Sequence, residues 1–490
     1  MLPLSTVEIL KKLNPAELKR FGDFVKSPYF NSIAALEIIY DVVSKSYPDF
    51  DAQIFSFEKM SKKIFGKGEI KEKRVKNLYA DFGNLLRKFL GQEELIKKSH
   101  EMDIFIAEGL SNKGLLDDGN KFINKSLEQN DNGYLTDDKR FEYRNRMKAQ
   151  KGLNLSGMGR EHFASILKII EEITEAKIVN FLRDLYAGGN AEYLRNDIYG
   201  NEPKKNMNAG LLLSLDTDKF LDYLKAMNSK YYSYLKIFYL LFYHTVYDIN
   251  REQFYELKKL IFENIHSIEK WEAYNILLRL NEIINFKMIP VDSSFTNEIM
   301  ETGKLFTELK IFPDHAHYPL HAGFFRDVFT SVLNLKEYDW AEKFVNEYSH
   351  YLIKELQEEE LNYCSGVLNF IRGRYESSLG FFSKVKPAKV LVNINVRFYY
   401  IMNYIELGAY ESARSALHAF RQFYKDNEEI PKIKYVLIPD ALKYFTEIIK
   451  SSEENKKIDE FLYNEANDGR SFYQRQYILE KMENLNHIPL

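Results

Sequence analysis

Two segments 35 residues apart share the pattern G-x-Y-E-S: "RGRYESSLGFF" at 372–382 and "LGAYESARSAL" at 407–417. The agreement continues past those five residues. Aligned on Gly373 and Gly408, Tyr375 matches Tyr410 and Ser378 matches Ala413. A third copy, "LKEYDWAEKFVNEY" (335–348), places Tyr338 37 residues before Tyr375 and Ala341 at the small position, with Lys336 where the glycine stood. A weaker fourth, "NKGLLDDGNKFINKS" (112–126), offers Gly114, Leu116 and Gly119 in the same three places. Each residue type has a physical role in a helix hairpin. Glycine tolerates the positive φ of a tight turn. The aromatic two residues on fills the wedge between the helices, and the small residue three later lets the second helix close on the first. Tyr410, Ala413, Leu417 and Phe420 then follow one stripe at helical spacing.

Composition favours the same reading. Gly (23) and Pro (12) are sparse in 490 residues, and strands and tight turns lean on both. A chain of that length needs more than one core or a repeat array. Aromatics reach 15% with only 2 Trp, an excess of Phe and Tyr that packed helix seams absorb. The net charge of −3 implies no whole-chain field for nucleic acid or membrane. The single cysteine, Cys364, permits no intramolecular disulfide and points to a reducing compartment. The opening "MLPLSTVEILKKLNPAELKR" lacks a signal-peptide pattern. The most apolar stretch, "YYSYLKIFYLLFYHTVYDI" (231–249), is interrupted by Lys236, His244 and Asp248. A buried helix in a cytoplasmic protein is expected there, not a membrane span.

Along the chain, "LNPAELKRFGDFVKSPYFN" (13–31) reads as a helix with both ends marked. Asn14 caps it, Pro15 suits the first position, Glu17 reaches back to the cap, and Ser27-Pro28 stops it. Tyr29 and Phe30 are expected to pin the turn to the core. A second helix begins near Ser32, with Ile33, Leu36, Ile39, Tyr40 and Val43 on one face. The pair 55–66 and 71–91 follows, and Val75, Tyr79, Phe82, Leu86 and Phe89 make its second helix strongly amphipathic. The pattern turns polar near 92–100, which sets the expected division: an N-terminal helical domain at 1–98 and helix pairs over 99–490. The segment 187–217, with "AGGNAEY" and "YGNEPKKNMNAG", reads as an inserted loop or a break between halves.

With its turn, aromatic, small and large positions at a period near 34, the pattern resembles the tetratricopeptide repeat. The likeness is best over 394–426, weaker over 359–385 and 322–352, and only topological elsewhere. Ile401 and Phe329 stand where that family has a glycine in the first helix, although Gly366 fits. The resemblance implies an all-α fold: an α-α hairpin solenoid, a tetratricopeptide-like superhelix, preceded by the small helical domain. The N-terminal block also resembles the start of bacterial proteins with helical-repeat bodies, a likeness that supplies no function.

The chemistry-bearing motifs are few. The phosphate-binding, H-E-x-x-H and G-x-S-x-G patterns are missing. "GMGREH" (157–162) lacks the third glycine of a dinucleotide loop and follows no predicted strand. Cys364 sits on a predicted helix without a local base and reads as a structural thiol. "PDHAHYPLH" (313–321) gathers Asp314, His315, His317 and His321. A loop-to-helix turn can converge such ligands on a metal. An exposed inter-hairpin loop, with Pro319 opening the next helix, accounts for them without one, so no metal and no cofactor is expected. "KMSKKIFGKGEIKEKRVK" (59–76) carries Lys62, Lys63, Lys67, Lys71, Lys73 and Arg74. It reads either as a solvated lysine-rich face or as a helix-turn-helix contacting nucleic acid. It resembles the winged-helix segment that precedes repeat domains in some bacterial transcription activators, although no strand pair for a wing follows. The acidic "YLIKELQEEEL" (351–361) is expected on the solvent side of a hairpin junction.

The function that follows is interaction without catalysis. A hairpin solenoid presents a concave wall built from the first helix of each pair, and such walls bind peptides or partner helices. The tetratricopeptide register puts Arg326, Thr330, Tyr363, Val367, Asn395, Phe398 and Met402 on that wall. The alternative is a transcriptional regulator whose segment 55–91 touches DNA while the repeats sense a partner. No constellation supports an enzyme.

Overall fold

The computed structural model describes residues 2–50, 53–66, 68–131, 138–199, 207–247, 251–289, 291–310, 319–386, 390–427, 430, 437–468 and 472–486. Among these residues all regular structure is helical and no strand occurs. The chain divides into two compact units, one holding residues 1–131 and 139–173, the other 132–138 and 174–490.

In the first unit α1 (Leu4–Lys12), α2 (Pro15–Lys26), α3 (Ala35–Ser46), α4 (Phe57–Phe65) and α5 (Glu72–Lys97) share one core, where Phe21, Ile39, Phe82 and Leu86 are fully buried. The start of α2 follows its sequence. Asn14 accepts from the Glu17 N–H at 2.9 Å, and the Glu17 carboxylate accepts from the Asn14 N–H at 2.9 Å. These two bonds satisfy donors that a helix start leaves open. The expected pin at the other end is half right. Phe30 stacks on Phe24 with centroids 4.1 Å apart, but Tyr29 is 88% exposed and pins nothing. Next come α6 (Ser99–Asn112), α7 (Leu116–Gln129) and α8 (Asp138–Met158), around a smaller cluster of Ile104, Ala107, Ile123, Tyr143 and Met147. The two core clusters lie on either side of residues 92–100, and the compact unit that holds both runs on to 173.

The division falls inside α9 (Phe163–Tyr199). This helix corrects the irregular reading of 187–217, because "AGGNAEY" is helical. Gly189 is needed there for closeness, not for a turn: a Cβ on it would lie 2.8 Å from the ring of Phe242. Residues 200–206 lie outside the described residues.

The second unit continues with α10 (Met207–Ser214), α11 (Thr217–Ala226), α12 (Tyr232–Val246), α13 (Arg251–Asn264), α14 (Lys270–Ile283) and α15 (Thr296–Leu309). Then follow α16 (Ala322–Asn334), α17 (Tyr338–Tyr348), α18 (Lys354–Ile371), α19 (Tyr375–Phe382), α20 (Val390–Glu406) and α21 (Tyr410–Asp426). The last three are α22 (Leu437–Glu454), α23 (Glu460–Asp468) and α24 (Arg475–Asn486). From α14 to α22 each helix packs on the next, and α12, α14, α16, α18 and α20 also touch in succession. The apolar stretch forms α12, whose Leu235, Ile237 and Leu240 are fully buried. Among the described residues no helix is long and apolar enough to cross a membrane.

The repeated sequence pattern has a repeated geometry. In four hairpins the turn residue is left-handed: φ is 76° at Gly114, 63° at Lys336, 69° at Gly373 and 68° at Gly408. In each, the next N–H reaches back five residues: Leu115 to Leu110 at 3.1 Å, Glu337 to Val332 at 3.1 Å, Arg374 to Asn369 at 2.8 Å and Ala409 to Tyr404 at 2.9 Å. That bond closes a Schellman turn and satisfies a carbonyl the helix end leaves open. The small positions Gly119, Ala341, Ser378 and Ala413 are all buried, as are the large ones four residues later, Ile123, Val345, Phe382 and Leu417. Lys336 makes the turn without the residue that makes it easily. A side chain in that conformation is strained by about 1–2 kcal/mol, and part of the relief is offset by glycine's greater freedom when unfolded. Lys336→Gly is therefore expected to stabilise the second unit by about 0.5–1 kcal/mol, and Gly408→Ala to destabilise it by about 1 kcal/mol. Urea midpoints at unchanged slope check both.

Candidate functional site

A line of polar pairs joins α9, α12, α14, α16, α18 and α20 of the second unit. Arg183 of α9 and the hydroxyl of Tyr234 of α12 both donate to Glu272 of α14, at 2.7 and 2.6 Å. Asn281 of α14 donates to Asp327 of α16 at 3.1 Å. Arg326 of α16 donates to Glu360 of α18 at 2.7 Å. Asn395 of α20 donates to the hydroxyl of Tyr363 of α18 at 3.4 Å. Glu360 is only 1% exposed and Arg326 15%. A buried carboxylate persists only where a cation and hydrogen bonds replace water, so this pair fixes how α16 meets α18. Within the acidic run 351–361, Glu355 and Glu358 are exposed as expected, but α18 begins at Lys354 and Glu360 is turned inward.

Three of the expected wall residues belong to this line. Arg326, Tyr363 and Asn395 meet at the α16, α18 and α20 seams, and Thr330, one turn along from Arg326, is exposed. Tyr363, Val367, Phe398 and Met402 are buried at 4%, 2%, 0% and 2% exposure. They are packed side chains rather than open wall, and later parts of the chain cover Phe398. The ring of Phe398 lies 5.7 Å from Phe445 of α22 and 5.2 Å from Tyr473, just before α24. Burial pushes the Tyr363 phenol and the neighbouring Cys364 thiol up, the latter helped by the charge of Glu360, so both stay protonated at neutral pH. Cys364 is fully buried.

No family model, curated protein or solved structure matches the chain.

The last helix supplies contacts that the sequence reading missed. The hydroxyl of Tyr477 donates to Glu406 of α20 at 2.7 Å, and Lys481 donates to both oxygens of Glu406 at 2.9 Å. The ring of Tyr477 lies 5.8 Å from Phe370, in the last turn of α18. Burial and then the Glu406 charge push its phenol up, so it keeps the proton it donates to Glu406. On the other side of α20, Arg397 lies 4.2 Å from the ring centre of Phe423 of α21. Burial lowers the pKa of this guanidinium. The readable signal for the last helix was the spacing of Tyr473, Tyr477 and Lys481, four residues apart each time.

The basic segment lies in the first unit. Lys62 is paired with Glu58 within α4 at 2.7 Å, and Lys71 and Arg74 sit 5.0 and 5.9 Å from the ring of Phe65. Lys63 and Lys73 are exposed, and Lys67 lies outside the described residues. Of the histidine cluster, Asp314, His315 and His317 also lie outside them. His321 caps α16: its Nδ1 accepts from the Phe324 N–H at 3.4 Å, while its backbone N–H donates to the Tyr274 hydroxyl oxygen at 2.8 Å. Among the described residues no three His, Cys, Asp or Glu groups converge to hold a metal.

Proposed function

We propose that the chain is a non-catalytic interaction protein that binds a peptide or partner helix along the first helices of a tetratricopeptide-like hairpin array. The observation that carries this reading is the unbroken succession of α12, α14, α16, α18 and α20, each touching the next and most joined across the seam by a polar pair. In a hairpin array the face made by successive first helices is the one that docks an extended or helical ligand, and here Thr330 is exposed on it. Mechanism is then complementary docking, with no bond made or broken.

The test places a photocrosslinking benzoylphenylalanine at Thr330, exposed on α16, or at Glu411, exposed on the second helix α21. In the native host, adducts are expected from position 330 and none from 411. Adducts from 411 alone, or from neither position, overturn the reading.

A further inference from the structure

In a hairpin array each pair meets only its neighbours. The last segment does not keep to its neighbours. It packs on α22 and α23, but it also reaches back to α20 and to α18. Tyr473 stacks on Phe398 with centroids 5.2 Å apart, and Tyr477 meets Phe370 at 5.8 Å. Lys481 completes the row on Glu406 at 2.9 Å. Tyr477 and Lys481 share one stripe of α24 and Tyr473 lies on the turn that enters it, ahead of Gln474 with φ 56°, while Ile478, Met482 and Leu485 form a second, buried stripe of the helix. Phe398 is one of the residues that the hairpin register assigns to the inside face, and this segment is part of what covers it. The polar end of the contact is accessible: Glu406 is 18% and Lys481 23% exposed.

We propose that Phe370, Phe398 and Glu406 form a binding site for a partner segment that presents an aromatic residue on the turn entering a helix, and then an aromatic and a base one turn apart on that helix, and that the chain's own segment 472–486 occupies it as an internal ligand. The proposal rests on the interaction reading above and adds its regulation. Two rings of the array receive the two aromatics. The carboxylate of Glu406 selects a base at the third place, since an acidic residue there would put two negative charges side by side. A partner helix binds only after the internal one leaves, so its apparent affinity is reduced by the fraction of chains with the site open.

The test uses the full chain and a fluorescent synthetic peptide of residues 472–486. The Lys481→Glu chain sets a carboxylate against Glu406 at a solvent-accessible position, so α20 and α22 keep their packing. In that chain the amides of 475–486 are expected to exchange about tenfold faster while those of α20 stay protected, and the peptide to bind about tenfold more tightly than to the wild-type chain. Glu406→Lys is expected to abolish peptide binding, and a peptide carrying Lys481→Glu to restore it. Two results overturn the proposal. In the first, the amides of 475–486 exchange only together with those of α20 and α22, which makes the helix an inseparable part of one core. In the second, Lys481→Glu frees the helix but the chain binds no peptide. The peptide is the chain's own, so either failure leaves the crosslinking test at Thr330 to decide the broader reading separately.

Discussion

Replacing Arg326 by methionine is expected to destabilise the second unit by about 3–5 kcal/mol at neutral pH, the largest loss from any single charged residue of the seam. The reason is the carboxylate left behind. Glu360 is 1% exposed and meets Arg326 at 2.7 Å. Methionine fills much of the arginine's volume, so the loss reports charge rather than a cavity. The double change Arg326→Met with Glu360→Leu is expected to recover most of it, because an apolar pair of similar volume is often as stable as the ion pair it replaces. A two-unit chain need not unfold in one step, so the readout is amide exchange in α16 and α18 rather than a single melting temperature. Arg326→Met shifting those amides by less than about 1 kcal/mol, the range of exposed pairs, would show that water reaches Glu360.

The two halves of this molecule were legible to different degrees. The hairpin turns could be read because their demands are local. A left-handed residue favours glycine, the close approach five residues on excludes bulk, and both fall within nine residues of Leu417 in "GAYESARSAL". The capping box at Asn14 and Glu17 is local in the same way. What failed depends on distant partners. Glu360 looks like any solvated acid in "QEEEL" until Arg326, 34 residues earlier, is placed beside it. The register put Phe398 on an inside face but carried no information about Tyr473, 75 residues later, lying over it. Gly188 and Gly189 read as a loop because glycine marks both turns and close packing, and only the side chain of Asn208 beside the first and the ring of Phe242 beside the second decide between them. Tyr29 and Phe30 are adjacent and alike, yet one is stacked and the other 88% exposed. Pattern gives the face of a helix, and the rest of the chain decides what that face meets.

Phe398→Ala is expected to remove about 3–5 kcal/mol from the region 390–486, and its distribution is as informative as its size. Phe398 is fully buried, with its ring edge-on to Phe420 at 4.7 Å, 5.2 Å from Tyr473 and 5.7 Å from Phe445. One truncation thus withdraws support from α21, from α22 and from the segment leading into α24. The cost has two parts: the transfer free energy of the lost ring and the cavity that three rigid rings cannot collapse into. Phe398→Leu keeps most of the volume and is expected to cost less than half as much. Tyr473→Ala removes a ring that is only partly buried and already borders solvent, so it is expected to cost about 1–2 kcal/mol. Amide exchange separates the two effects. Tyr473→Ala should speed exchange in 475–486 while α20 and α21 keep their protection, whereas Phe398→Ala should lower protection in all three. Equal loss of protection in α21 from both variants would mean that Tyr473 is as much a part of the α20–α21 core as Phe398 itself, and that no separable layer lies over the hairpins.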